Sequence, residues 1–417
     1  MEQNKKKKNK NKNKKVLMPI WLNIVFTLGS KVILLFLTRI KHKRRVLRKH
    51  KKGFLLLYNH YSNKDHFIIK DALNFRRVNY VVASSYLLTK PVGPILRMAR
   101  AISKDQFKPD LVAIRKIKKA IDQKGIVAIA PTGQTTVDGN PSYMPDTIVK
   151  LIRLVKSDVV GLRSKGSYLC FPKWRRSKRK CKIQTEFVTI LKKEELATLT
   201  DQEIYNRIYD AIYVNEEEDQ LTMKRVIKSK AIAEGLETVF TICPKCLKHR
   251  TIKTKENRIY CRDCANEGYM DHYGFIHPKT ENDVVFNRVS QWINWQKQLI
   301  GQEFENGLEI KQLVMLRSNL ADPLKMEHIG KGYLSLSKNG FILDGNIYQE
   351  PFYREYKMEQ IPQLPFDPGV RIEIPNEELF LRVHPENFYS VFEYVQIFDY
   401  LNDLRLKKAK ENENNNN

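Results

Sequence analysis

His60 and Asp65 stand five residues apart in Asn59-His60-Tyr61-Ser62-Asn63-Lys64-Asp65, directly after the apolar run Phe54-Leu55-Leu56-Leu57-Tyr58. An imidazole with a carboxylate on one ring nitrogen keeps the other free to take a proton, as a general base must. Asp65 would then steady the imidazolium that forms. No Ser or Cys stands in an obvious place for a nucleophile, so the pair points to direct transfer onto a hydroxyl without a covalent intermediate. The chain has nine histidines, so an Asp at this offset is common enough by chance that its surroundings must supply the rest.

A second set of reactive residues is more specific. Cys243-Pro244-Lys245-Cys246 and Cys261-Arg262-Asp263-Cys264 form two C-x2-C knuckles with fourteen residues between them. That is the spacing of a tetrathiolate zinc ribbon. Four thiolates close the coordination sphere, so the expectation is a structural Zn2+ held by Cys243, Cys246, Cys261 and Cys264, stapling a domain too short for a core of its own. Residues 251–260 read as strand, turn and strand, bent at Lys255-Glu256-Asn257. His249 is not needed as a ligand, and Cys170 and Cys181 read as ordinary thiols. Disulfides would be the competing use, which the lack of an export signal disfavours.

Both sets need elements to position them. Residues 54–58, 78–83, 101–105 and 126–130 read as short apolar strands, with helical patterns over 87–100 and 113–123 between them. Strands alternating with helices imply a mostly parallel central sheet flanked by helices, whose loops gather on one edge. His60 and the turn Pro131-Thr132-Gly133-Gln134-Thr135-Thr136 would share that edge, and a helix starting near Gly133 would offer backbone amides to an anion.

The order apolar strand, Asn-His-x4-Asp, then about seventy residues later an apolar strand ending in Pro-x-Gly, resembles the glycerolipid acyltransferases of the 1-acyl-sn-glycerol-3-phosphate acyltransferase type. The resemblance covers residues 50–190. It implies a catalytic dyad at His60 and Asp65, with the acceptor's glycerol phosphate held by residues matching Ala130 to Thr136. Thr132 stands where that family has Glu, and Thr135 where it has Arg. Thr cannot make the bidentate phosphate grip of Arg. Lys104 is the position that matches a further phosphate contact, and 158–162 matches a final apolar strand. Substrate contacts are therefore expected from Lys104, Pro131, Thr132, Gly133, Gln134 and Thr135. A replacement grip is available in Arg163, Lys165, Lys173, Arg175, Arg176, Lys178, Arg179 and Lys180, interleaved with Tyr168, Phe171 and Trp174. The resemblance implies an acyl carrier protein or acyl-CoA as donor and a lysophospholipid or glycerol phosphate as acceptor.

Composition bounds the setting. The net charge is +28, so the partner should be anionic. Residues 1–15 hold eight lysines against one glutamate, residues 16–40 are largely apolar, and 41–52 carry eight more Lys and Arg. Equally basic flanks argue against a single span with one end exported. Pro19, Asn23, Gly29-Ser30 and Lys31 suggest two short amphipathic helices lying in an interface. The expectation is a monotopic or peripheral protein on the cytoplasmic face of the cell membrane, with an anionic membrane surface, and not nucleic acid, as its partner.

Beyond the cysteines, 283–304 reads as a helix and 308–317, 332–337, 340–343, 370–374 and 378–383 as strands, closed by a helix over 387–404. Several antiparallel strands capped by one helix resemble a pleckstrin-homology-like or GRAM-like domain. The expected division is a basic arm with interfacial helices (1–45), an acyltransferase domain (46–235), a zinc ribbon (236–270), a β-rich C-terminal α+β domain (271–408) and a disordered tail (409–417). The alternative is a catalytically degenerate scaffold that binds membranes or nucleic acid. The intact His60 and Asp65 favour the enzyme.

Overall fold

The computed structural model describes residues 16–104, 110–319, 325–361, 363–374 and 381–415. The first part contains, in chain order, helix α1 (Ile20–Leu37), β1 (Arg39–Lys43), β2 (Phe54–Tyr58), α2 (Asp65–Leu73), β3 (Val78–Ala83), α3 (Val92–Met98), β4 (Ile102–Lys104), α4 (Leu111–Asp122), β5 (Ile126–Ile129), α5 (Thr147–Val155), β6 (Val159–Lys165), α6 (Ser167–Cys170), β7 (Lys182–Leu191), α7 (Asp201–Ile212) and α8 (Glu216–Met223). The strands form one sheet in the order β1-β7-β6-β2-β5-β3-β4. From β6 to β4 every neighbour is parallel, while β7 runs antiparallel to β6 and β1 parallel to β7. All five residues of β2 are buried, as a strand covered by helices on both faces requires. The sheet reaches back to Arg39, ahead of the boundary expected at residue 45. His42 fixes β1 there by bonding Thr185 (2.7 Å) and Asp71 (2.9 Å).

One helix, and not two, runs from Ile20 to Leu37. The residues expected to break it do not. Pro19 sits at the N-cap, where a missing N–H costs nothing. The hydroxyls of Thr27 and Ser30 each donate to the carbonyl four residues back, at 2.6 Å. Asn23 donates to Phe75 O (2.8 Å) and accepts from Lys70 Nζ (2.6 Å), and Lys31 pairs with Asp71 (2.9 Å). The polar face of α1 therefore lies inward on α2 and the 74–77 loop. Its apolar face points outward, with Trp21, Val25, Leu28 and Val32 exposed and Leu35 and Phe36 73% and 75% exposed. The helix is long and apolar enough to cross a membrane, and 28% of it is buried. The lysines of 1–15 lie outside the described residues.

The rest of the chain is antiparallel. A four-stranded sheet, β11-β10-β9-β8, is built from β8 (Ile252–Lys255), β9 (Arg258–Cys261), β10 (Glu267–Met270) and β11 (Ile276–Pro278). After helix α9 (Val289–Glu305) come β12 (Ile310–Ser318), β13 (Glu327–Ser337), β14 (Gly340–Ile347), β15 (Glu350–Lys357), β16 (Phe366–Asp367), β17 (Arg371–Ile374) and β18 (Leu381–Pro385), in the order β15-β14-β13-β12-β18-β17-β16. Helix α10 (Ser390–Asn415) closes the sheet and extends through most of the tail expected to be disordered. Its last turns, Lys and Ala followed by alternating Glu and Asn, contain no Pro or Gly to stop them.

The small four-stranded unit does not lack a core. Ile242, Cys243, Ile252, Ile259 and Cys261 belong to one apolar cluster with Tyr61, Trp292, Val314 and Phe398, and Trp292 Nε1 donates to Ile242 O (3.2 Å).

Candidate active site and cysteine cluster

The chain leaves β2 at Tyr58, turns, and enters α2 at Asp65, so His60 and Asp65 face each other across a single turn. His60 Nδ1 lies 2.8 Å from Asp65 Oδ2. The same oxygen accepts the backbone N–H of Tyr61 (2.9 Å) and Ser62 (3.1 Å), and Ser62 Oγ donates to Oδ1 (2.8 Å). Four donors and the positive end of α2 are thus gathered on the buried Asp65 carboxyl group. Asn59 locks the strand exit by exchanging two hydrogen bonds with Ser164 at the end of β6 (2.7 and 2.8 Å). The Tyr61 hydroxyl donates to Val214 O.

The free nitrogen, His60 Nε2, meets Thr135 Oγ1 at 3.4 Å, and Thr136 N donates to His60 O (3.1 Å). The turn after β5 is thus brought onto the dyad. Pro131 and Thr132 are buried, with Thr132 Oγ1 donating to Gln134 O (3.1 Å). Gly133 is exposed at φ +67°, and Gln134 and Thr135 are half-buried. No helix begins at Gly133; the loop continues past Gly139, Pro141 and Pro145 to α5 at Thr147, so the expected row of helical amides is not there. Lys104 ends β4 on the same sheet edge but three strands from β2. At about 4.8 Å per strand it lies roughly 14 Å aside. Burial, partly offset by Asp110, lowers its ammonium pKa.

Half of the basic cluster is tied up elsewhere. Arg163 donates to Ala211 O and Asp210 O, Lys165 pairs with Asp219, Arg176 with Glu237, and Arg179 donates to Leu169 O and Ile232 O. Arg175, stacked over Phe171, pairs with no carboxylate among the described residues. Lys64, adjacent to Asp65, has its pKa lowered first by burial and then by the charge of Arg175. Sequence reasoning missed Lys64 and Ser62, although Ser62 could have been found from its Ser-x-x-Asp spacing to Asp65. It also missed Gln363, whose Oε1 would stand 3.9 Å from a Cβ on Gly133 and whose Nε2 donates to Tyr143 O (3.4 Å).

The sulfurs of Cys243, Cys246, Cys261 and Cys264 all lie within 4.8 Å of one another. Cys243 and Cys264 are 3.7 Å apart, Cys246 and Cys261 3.8 Å. A tetrahedron of sulfurs about 2.3 Å from a central ion has edges of about 3.8 Å, so the donors fit zinc in type and geometry. Thr251 Oγ1 (3.3 Å) and Asp263 N (3.4 Å) approach Cys261 Sγ, and Asn266 Nδ2 approaches Cys243 Sγ (3.8 Å), as outer hydrogen-bonding partners do. His249 is engaged by Glu303 (2.8 Å) and Glu393 (3.6 Å).

Three comparisons bear on this geometry. The chain is similar to the crystal structure of the 1-acyl-sn-glycerophosphate (LPA) acyltransferase, PlsC, from Thermotoga maritima, at 13% identity and a TM-score of 0.40, over 47% of this chain and 78% of that one. No curated protein matches it significantly. The family model described as Acyltransferase matches residues 39–160, which begin at β1, contain the dyad and its loop, and end inside β6. By that match, residues 39–160 of the chain are similar to an acyltransferase domain.

Proposed function

We propose that the chain is a membrane-associated enzyme that moves a fatty acyl group from a thioester, acyl-CoA or acyl carrier protein, to the hydroxyl of a lysophospholipid or glycerol phosphate. The observation that carries this reading is the 2.8 Å bond between His60 Nδ1 and Asp65, which leaves Nε2 open beside Thr135 within the family-matched segment. His60 Nε2 takes the acceptor's hydroxyl proton as its oxygen attacks the thioester carbonyl. The ester forms, the carbon–sulfur bond breaks, and the leaving thiolate receives the proton back from the imidazolium. Asp65 holds the tautomer and balances the transient charge. Thr132 and Thr135 leave the loop without a cation, so the acceptor's anionic group is assigned to Lys64 and Arg175, which gather positive charge beside the dyad and form no ion pair with a carboxylate among the described residues.

Two structural assignments accompany this. The outward apolar face of α1 sits in the membrane interface on the cytoplasmic side, supported by its inverted polarity and basic flanks. The four cysteines hold a structural Zn2+, supported by the fit of their spacing.

The deciding experiment supplies labelled acyl-CoA and acyl carrier protein to the protein in lipid-containing micelles with a panel of lysophospholipids and glycerol phosphates. Product that disappears in His60→Ala is the expected result. Absence of product from every pair in a folded, lipid-bound preparation would leave the scaffold reading in its place.

A further inference from the structure

At the end of β2 away from His60, the 44–52 segment and the 74–77 loop enclose an open cleft of about 380 Å³ lined by Arg44, Leu47, Arg48, His50, Lys51 and Arg76. Four cations converge on it, and none forms an ion pair among the described residues. Of the acids nearby, Asp158 is already engaged by His50 (3.0 Å), Lys192 and the backbone of Lys193, and the Asp71 carboxylate by Lys31 and His42.

Two of the four cations are held rigidly. Arg44 donates through Nε to Ala72 O and through an Nη to Asp71 O, both at 2.8 Å, at the end of α2. Arg76 donates to Leu47 O (3.2 Å) and Lys52 O (3.3 Å) with its guanidinium over the Phe54 ring. Each guanidinium keeps N–H groups to spare, and Arg48 and Lys51 stand exposed at the rim. Fixed guanidiniums with spare donors and exposed cations around them suit a phosphate, which accepts several charge-assisted bonds at once.

The cleft's place in the fold narrows the source of that phosphate. The loop carrying Arg76 also carries exposed Phe75, whose carbonyl receives the Asn23 side chain of α1, and Arg77, which donates to Met18 O. The cleft therefore opens beside the first half of the helix whose apolar face is outward.

We infer that this cleft is a second, non-catalytic anion site that takes the phosphate of an acidic phospholipid headgroup. It rests on the reading of α1 as a membrane element and not on the acyl-transfer chemistry. The test compares the full chain with the rim double variant Arg48→Gln/Lys51→Gln, and with a charge-matched control far away, Lys331→Gln/Lys338→Gln. Partition onto vesicles of phosphatidylcholine alone, and of phosphatidylcholine with phosphatidylglycerol, is measured beside the thermal shift produced by inorganic phosphate. The rim variant is expected to lose on the order of tenfold or more of its binding to acidic vesicles, the control less than about threefold, and binding to neutral vesicles to be equal in all three. Loss of the phosphate-induced shift alone, with vesicle binding like the control's, would assign the same site to a soluble phosphate. Equal behaviour of rim variant and control on both probes overturns the site. Parent protein that ignores vesicles of both kinds would instead remove the membrane reading of α1.

Discussion

At the scale of residues, the geometry of the His60–Asp65 pair depends on the carboxylate more than on the imidazole. Asp65 receives three donors besides His60, so Asp65→Asn would both remove the charge and set its amide against backbone N–H groups. It should lower kcat about a hundredfold or more with KM for donor and acceptor little changed, read by steady-state kinetics. Ser62→Ala, which removes a single bond, should cost about tenfold or less, and Thr135→Val less again. The offset between His60 and Asp65 was legible in the sequence because both lie within one turn. The departures at Thr132 and Thr135 were legible as well, but where the lost charge went was not. Of eight basic candidates, the fold satisfies four through partners 10 to 61 residues away, and a linear reading cannot see those.

At the scale of elements, α1 shows where local pattern misleads. Asn23, Thr27, Ser30 and Lys31 look like interruptions to a rule that places polar groups in water. Here they are the adhesive face, because α2 and the 74–77 loop supply the partners. Asp71 anchors the arrangement. Burial alone would raise its carboxyl, but the bonds to His42 and Lys31 pull it down to about 2. A depressed carboxyl contributes stability that is full above its ordinary value near 4 and is lost as pH falls through about 2. Asp71→Asn should therefore destabilise the first domain by roughly 2 kcal/mol at pH 7 and flatten the acid limb of its unfolding curve. The cysteine unit was legible in the grouping of its four sulfurs and in its hairpin but not in its packing. Because its strands share a core with α9 and α10, zinc removal should lower the melting temperature and expose four titratable thiols without unfolding the four-stranded sheet's neighbours. One zinc per chain by metal analysis is the accompanying expectation.

At the scale of the whole molecule, the four-stranded unit is joined to the C-terminal helix by a clamp around one buried carboxylate. Glu393 of α10 takes Arg250 at 2.6 Å and His249 at 3.6 Å, just beyond the first knuckle. Burial would lower the imidazole's pKa, but Glu393 and Glu303 outweigh it and raise it. A raised histidine gives stability that is whole below its ordinary value near 6.5 and is lost as pH climbs through the raised one. The melting temperature should thus fall between pH 6 and pH 8, and fall less in His249→Gln. The seven-stranded sheet reaches the first domain too, where Arg382 meets Ser85 O and Thr89, and Gln363 lies above Gly133. The alternation of strands and helices announced the parallel sheet, and the later strands announced an antiparallel one. Their meeting over the loop was not legible, since it joins residues more than 200 positions apart.

Tyr61, next to His60, is buried in the apolar cluster that holds the knuckle cysteines and Phe398. A chain cut after residue 235 would keep every residue of the dyad and lose most of that cluster. The family-matched segment is in this sense a tenant of a larger polypeptide, its turn resting on a core shared with residues that the match does not reach.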